Sequence, residues 1–407
     1  MNPPGVSKQT YAETPRRWIL VMGTIVAIGP MSIDMYLPAL PAIQRHFGAD
    51  TASTQFTLAA FFIGLAVGQL VYGPLSDRIG RRGPLLFGLA LYAVASLACM
   101  FAPSMASLTG LRLLQALGGC AGMVMSRAMV RDRFEPQDMA RILSALVLVM
   151  GVAPILAPMA GGQVFVRFGW EAIFGVLAAF GALCTLLAWR HLPETLAQSV
   201  PVNPWSALQG YARLLGHRRF MGYALSGSMA QAGMFSYISV SSFVFIDHYG
   251  LHPTEFAWMF GCNAAGLIAA AQLNGRLLQR MPSQRVLRAA LATNALAGGT
   301  MLIAAATGFG GMWGVIVPLF FAVASLGFTF PNSTAAAMAP FGDRAGTASA
   351  LMGTLQFGLA ALCGALAGHL QQFGGAVPMA AVIFAGGLTA NLLLRLLVSR
   401  PEAETPA

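Results

Sequence analysis

Charge is what this sequence has least of. Only 9% of its 407 residues are Asp, Glu, Lys or Arg, where a water-facing protein carries about 25%. A hydrated surface cannot be drawn from that set, which excludes an ordinary soluble enzyme and a disordered chain alike. Lysine is all but missing: apart from Lys8 every basic residue is arginine, so lysine chemistry has almost nothing to work with. The five cysteines, Cys99, Cys120, Cys184, Cys262 and Cys363, stand singly in apolar runs. With no CxxC and no Cys/His cluster they read as small packing residues, not as disulfide partners or metal ligands. No GxxxxGK[ST] loop occurs, which takes ATP away as an energy source. The little charge there is leans one way, 24 basic against 14 acidic for a net +10. Nucleic acid would suit such a balance in a soluble domain, but retention of basic loops on the cytoplasmic face of a membrane is the simpler account here.

What the chain has in abundance is apolar residue, 57% by count with a mean hydropathy of +0.67. A bilayer crossing with its share of loop takes roughly 30–35 residues, so the length allows about twelve. Apolar runs of spanning length fall at 17–40, 52–74, 84–102, 105–129, 140–166 and 170–190. A polar stretch with Pro193, Pro201 and Pro204 follows, then six more runs at 220–246, 255–275, 286–308, 312–337, 345–370 and 376–398. The layout predicts an all-α membrane protein: a six-helix half over 1–190, a cytoplasmic linker over 191–219, and a pseudo-symmetric six-helix half over 220–407. The first apolar run is too long for the core of a cleaved signal and reads as an uncleaved first span. With the N-terminus inside, 21 basic residues fall on the cytoplasmic side and two, Arg45 and Arg167, outside. A miscounted span would scramble that asymmetry, so both termini are expected in the cytoplasm.

One basic residue is left over, Arg112 in span 4, and one acid lies within a span, Asp34 in span 1. Ionisable groups at membrane depth are costly and usually mark a pathway. Asp34 stands about six residues from the outer end of span 1, and Arg112 about seven from the outer start of span 4. At 1.5 Å per residue both are roughly 9–11 Å deep from the same side, so they are placed to meet, directly or through water. Burial and a neighbouring cation pull the protonation of such an acid in opposite directions, which suits a carboxyl that takes up and releases a proton as cargo exchanges. A purely structural ion pair is the competing reading. Beside Arg112, Gln115 supplies further donors, while Gly119, Gly122 and Ser126 on the same helical face read first as close packing.

The link between spans 2 and 3 is very short: Gly73-Pro74-Leu75-Ser76-Asp77-Arg78-Ile79-Gly80-Arg81-Arg82. Its glycines permit a tight reversal and its arginines hold it inside. Asp77 is not needed for retention; a charge-assisted contact with a neighbouring helix end or an arginine such as Arg131 is expected of it. In span 5, Pro154 and Pro158 each remove an intrahelical hydrogen bond, with Gly151, Gly161 and Gly162 at helical spacing beside them.

On these residues the chain resembles the major facilitator superfamily. Gly73, Asp77, Arg78, Gly80, Arg81 and Arg82 match its signature loop. Arg112, Gln115 and Gly118 match the span-4 signature of the drug–proton antiporters, and Gly151, Pro154, Pro158, Gly161 and Gly162 resemble their span-5 antiporter motif. The run from Asp34 to Pro41, with Tyr237 to Val244, Pro331-Asn332 and Ala345 to Leu351, is similar to the bicyclomycin-resistance (Bcr/CflA) branch. Val240 and Ser242 depart from it, since the branch usually has Gly and Pro there, and a kink in span 7 is in doubt on that account.

The resemblance implies a proton-driven exporter of small amphipathic molecules in the bacterial inner membrane, working as a monomer by alternating access with no cofactor. Asp34 and Arg112 would couple the proton, and Met31, Tyr36, Gln115, Met123, Tyr237 and Asn332 are the candidates for lining a substrate cavity. A dedicated exporter of a purine nucleoside or an amino acid is the alternative within transport. A receptor or scaffold that moves nothing fits the hydropathy but leaves Asp34, Asp77 and the span-5 prolines without a purpose. An intramembrane enzyme would need a nucleophile and base, or a ligand cluster, within the spans, and the sequence offers none. Asp247, His248, His252 and Glu255 are expected to form a hydrated outer loop and not a metal site.

Overall fold

The computed structural model describes residues 16–134, 136–196 and 204–398. In hydrocarbon each backbone N–H and C=O must be paired within its own segment, and the chain obeys by folding into fifteen α-helices among the described residues. The first crossing, Arg17–Phe47, is made of three pieces: α1 (Arg16–Val26), α2 (Ile28–Asp34) and α3 (Leu40–Phe47). Then come α4 (Thr51–Ile79), α5 (Arg82–Met100), α6 (Met105–Arg133), α7 (Pro136–Phe168) and α8 (Trp170–His191). After α9 (Pro204–Gly216) follow α10 (Arg218–Ser242), α11 (Pro253–Leu277), α12 (Ser283–Thr307), α13 (Gly311–Met338), α14 (Ala345–Leu370) and α15 (Val377–Val398). Eleven crossings among the described residues are long and apolar enough to traverse a membrane, and a shorter apolar stretch, Val152–Phe168, lies in α7.

Two boundaries differ from the sequence reading. The first span does not end near residue 40. Pro38 and Pro41 each sit in the first turn of a new helical piece, where no N–H is required of them, so they restart the helix and carry it to Phe47. Gly48, at φ +58°, then ends α3, and the Asp50 carboxylate accepts the Ser53 N–H at 2.8 Å to begin α4. The linker over 191–219 contains α9, whose Leu214 is buried in an apolar cluster with Phe220, Tyr223, Ala348 and Leu351.

The chain forms two units, Met1–Ala207 with His252–Gly261, and Leu208–Leu251 with Cys262–Ala407. Their boundary falls inside the expected linker, and the start of α11 groups with the first unit. Within that unit the first crossing packs on α6, α7 and α8, while α5 packs on α6 and α8. In the second unit α10 packs on α13, α14 and α15, while α12 packs on α13 and α15. Crossing for crossing these are the same pairings, as duplication of one bundle requires. Span 7 loses regularity without a proline: beyond Ser242 it widens into a π-helical turn, Phe243–His248, of the kind often found at functional positions.

Candidate functional site

Asp34 closes α2, and the main chain breaks just after it. Met35 and Tyr36 form a turn, a short 3-10 segment covers Leu37–Ala39, and α3 begins at Leu40. Because the crossing runs on to Phe47, Asp34 lies near its middle, deeper than the sequence reading placed it. It is 4% exposed. Opposite the break, α7 comes backbone to backbone: a Cβ added at Gly161 would overlap the Met35 carbonyl. Only glycine allows that approach, so the span-5 motif meets the chain one residue from the acid. Gly162 faces Pro253 O and Ala257 at ordinary contact distance. Pro154 and Pro158 both lie inside α7, and the surroundings of Gly151 lie outside the described residues.

Of the two ways in which Asp34 and Arg112 could meet, the direct ion pair is not formed: among the described residues no salt bridge joins them. Arg112 is fully buried and held by neutral partners. One Nη donates to Gln115 Oε1 and the other to the main-chain oxygen of Ser32 at 3.0 Å. Its guanidinium carbon lies 4.5 Å from the Tyr36 ring centre, 4.2 Å from that of Phe61 and 5.9 Å from that of Phe174. With its faces against rings and both Nη groups engaged, the guanidinium is fixed without a counter-charge. Tyr36 is pinned from its other end, its hydroxyl donating to Thr57 Oγ1, whose own proton goes to Thr54 O. The result is a fixed cation touching the helix that ends in Asp34, and an acid with no charged partner among the described residues.

The six cavity candidates part company. Tyr36 and Gln115 belong to the Arg112 cage, and Gln115 Nε2 also donates to Ser96 Oγ at 2.7 Å. Met123 packs against Gly29, on the same short helix as Met31. In the second unit Tyr237 accepts from Asn263 at 3.1 Å and borders a cavity of about 10 Å³ with Met234, Asn294 and Leu326. Asn332 donates to Asn274 Oδ1 at 2.7 Å and to Phe328 O at 2.8 Å. His252 and Glu255 are taken up locally: the Glu255 carboxylate accepts the His252 N–H at the start of α11. Among the described residues no group of three or more His, Cys, Asp or Glu could hold a metal ion.

The signature loop is tied down by residues that the sequence reading passed over. Asp77 reaches Arg81 at 2.6 Å and not Arg131, which lies instead 3.8 Å from Asp132. Arg81, four residues on and just across the turn at Gly80, was simply nearer. Arg81, with a side chain 3% exposed, also donates to Asp132 Oδ2 at 2.8 Å and to Ser76 Oγ at 2.7 Å. The Glu194 carboxylate accepts the backbone N–H of Arg81 at 2.8 Å and of Arg82 at 3.0 Å, and Arg82 donates to Trp189 O. Partial burial works against its charge, but the N–H groups of Leu196, Arg81, Arg82 and Thr195 outweigh it and hold the carboxyl below the usual carboxylate range. Gly80, at φ +96°, has Glu194 where a Cβ would go, whereas Gly73 sits inside α4 with open space around it and Arg78 is exposed. A signal for Glu194 existed: α5 starts at Arg82-Gly83-Pro84 with no capping side chain, so its free N–H groups needed an acceptor from elsewhere.

This geometry has known counterparts. Residues 22–365 match the profile of the Major Facilitator Superfamily. The chain is 35% identical to an uncharacterized MFS-type transporter, YdgK, of Bacillus subtilis (strain 168), covering 91% of this chain and 93% of that one. It is 30% identical to a bicyclomycin resistance protein homolog of Haemophilus influenzae, over 87% and 89% of the two chains. The crystal structure of a D-xylose–proton symporter superposes with a TM-score of 0.77 at 13% identity, over 96% of this chain and 98% of that one, a likeness of fold. Signature loop, duplicated helical bundle and near full-length kinship agree, and the chain belongs to the major facilitator superfamily, as a multi-pass membrane transporter.

Proposed function

We propose that this protein exports small amphipathic molecules, drugs among them, across the bacterial inner membrane in exchange for protons. The observation that carries the reading is Asp34: a buried carboxyl at the break of the first crossing, without a charged partner among the described residues, beside a cation that aromatic rings and neutral acceptors already hold. An acid locked in an ion pair would keep its charge. This one can lose it, and a switchable charge at membrane depth is what proton exchange needs. Its place against Gly161 of the span-5 motif supports export, and kinship to a bicyclomycin resistance protein homolog supports drug-like cargo. Work would proceed by alternating access in a monomer with both termini in the cytoplasm, driven by the proton gradient with neither ATP nor a cofactor. Met31, Met123 and Tyr237 offer the deformable and aromatic surface that loosely specified apolar cargo requires.

The test is proton flux in inverted vesicles energised with a pH gradient, challenged with a panel of cationic and neutral amphipathic dyes and drugs. The wild-type protein dissipates the gradient on addition of at least one compound. Asp34→Asn inserts to the same level and gives no flux. Compound-dependent proton release by that variant at the wild-type rate would overturn the reading.

A further inference from the structure

Around Arg112 the hydroxyl and amide protons of a buried network can be assigned one by one, while the buried Arg112 Nε–H has no hydrogen-bond partner among the described residues. The single hydroxyl proton of Ser32 goes to Ile28 O at 2.6 Å. Tyr92 Oη stands 2.7 Å from the same Ser32 oxygen, so the tyrosine is the donor there. Ser96 donates to the main-chain oxygen of Tyr92 at 2.7 Å and accepts from Gln115 Nε2, also at 2.7 Å. Gln115 Oε1 accepts from Arg112, and Arg112 returns to the Ser32 carbonyl at 3.0 Å. Ser32, Tyr92, Ser96, Arg112 and Gln115 are all fully buried, and the donors leave no conflict anywhere in the ring. Ser32 is therefore gripped twice, at its hydroxyl by Tyr92 from α5 and at its carbonyl by Arg112 from α6.

Ser32 lies in α2, a seven-residue piece whose last residue is Asp34. A helix that short has no stability of its own, so its orientation is set by what holds it. Tyr92 is in turn unable to swing. A Cβ at Gly118 would stand 2.5 Å from Tyr92 N, one at Gly119 3.3 Å from its Cδ2, and one at Gly181 2.6 Å from its Cδ1. The ring thus occupies a slot cut by glycines of α6 and α8. We infer that the Tyr92 hydroxyl is a positioning group for the Asp34 carboxyl, acting through Ser32; the inference rests on the proton-exchanging role proposed for Asp34. The titratable or charged groups that act on this network are Tyr36 on the break, Tyr92 and Cys99 on α5, Arg112 on α6 and Cys184 on α8; Arg82 on α5, Cys120, Arg127, Arg131, Asp132 and Arg133 on α6, and Glu171, Arg190 and His191 on α8 stand further along the same helices. The stretches of α4 and α7 beside the break, 54–65 and 154–165, contain none.

The experiment needs no substrate, since its probe is the proton. The full-length protein in lipid nanodiscs is titrated with pH while the infrared band of protonated carboxyl is recorded, and Asp34→Asn identifies the band by its loss. Tyr92→Phe keeps the ring in its slot and removes only the donor. It shifts the midpoint of the Asp34 band by about half a pH unit or more, which is about threefold in proton affinity, with little change in thermal unfolding. Ser32→Ala gives a comparable shift and stands in should Tyr92→Phe fail to fold. The double variant moves no further than the larger single one, as expected of two partners in one contact. A midpoint unmoved in both single variants, with the band still lost in Asp34→Asn, overturns the positioning role alone. A band that Asp34→Asn leaves intact overturns the proton-exchanging reading, and the positioning role falls with it.

Discussion

At the scale of single residues the site depends on what has been left out as much as on what is present. Gly161 admits the Met35 backbone against α7, so the break that follows Asp34 is braced by main chain and not by a side chain that could move aside. Gly162, next in sequence, has only ordinary contacts, the nearest at 3.6 Å. The two therefore respond differently to one added methyl. Gly161→Ala forces backbone apart and is expected to cost about 1–3 kcal/mol, the range of overpacking in a filled interior, with loss of transport. Gly162→Ala is expected to leave unfolding temperature and transport near wild type. Thermal unfolding of the two variants in the same detergent makes the comparison, and equal destabilisation would show that the approach at Met35 is not what the glycine serves. Arg112 makes the complementary point. Its plane lies against Tyr36 and Phe61 at 4.5 and 4.2 Å, a fit for a flat delocalised cation that a lysine ammonium does not reproduce.

Among the elements, the end of α8, the start of α5 and the end of α6 are joined by carboxylates. Glu194 caps the uncapped N-terminus of α5, and Asp132 at the end of α6 holds the buried Arg81. The pH dependence of the Glu194 cap follows from its direction of shift. Its folded-state pKa lies below the unfolded value of about 4.3, so its contribution is fully present above that value and is lost as pH falls through the lower folded one. Glu194→Gln removes the charge while keeping the size. It is expected to lower stability by about 1 kcal/mol at pH 7, a capping-sized effect reduced by solvent exposure. The gap to wild type should close below about pH 4, and unfolding temperatures recorded from pH 3.5 to 8 check both. The same elements mark what the sequence made legible. Helix number, the Arg81 loop and the burial of Arg112 could be read because hydropathy, glycine and charge are local signals. That Asp34 and Arg112 make no direct ion pair was not legible, because facing positions on two helices do not reveal that Tyr36, Phe61, Gln115 and the Ser32 carbonyl take up the faces and both Nη groups of the guanidinium. Glu194 and Tyr92 were missed because each acts across more than a hundred or about sixty residues of chain, a distance no spacing rule spans.

For the whole molecule, duplication of the bundle has not been accompanied by duplication of its chemistry. The pairings of the first and third crossings in one unit recur for the seventh and ninth in the other. Yet among the described residues the charged side chains that are buried, Asp34, Arg81 and Arg112, all belong to the first unit. Buried polar groups of the second are serines, threonines and amides, among them Ser226, Ser236, Asn263, Asn274, Asn294 and Asn332. Neutral groups can order helices or meet cargo, but they take up no proton between pH 5 and 9. Proton exchange should accordingly be a property of the first half, and cargo preference should respond to the second. Asn332→Ala removes the donor to Asn274 Oδ1 and Phe328 O. It is expected to change which dyes are moved, or their rates several-fold, while the pH at which transport is half-maximal stays within about 0.2 units of wild type. Asp34→Asn does the reverse, removing the pH dependence for every compound. Dye transport measured against pH in inverted vesicles separates the two variants, and a displaced pH midpoint in Asn332→Ala would mean that the neutral half shares in the proton chemistry after all.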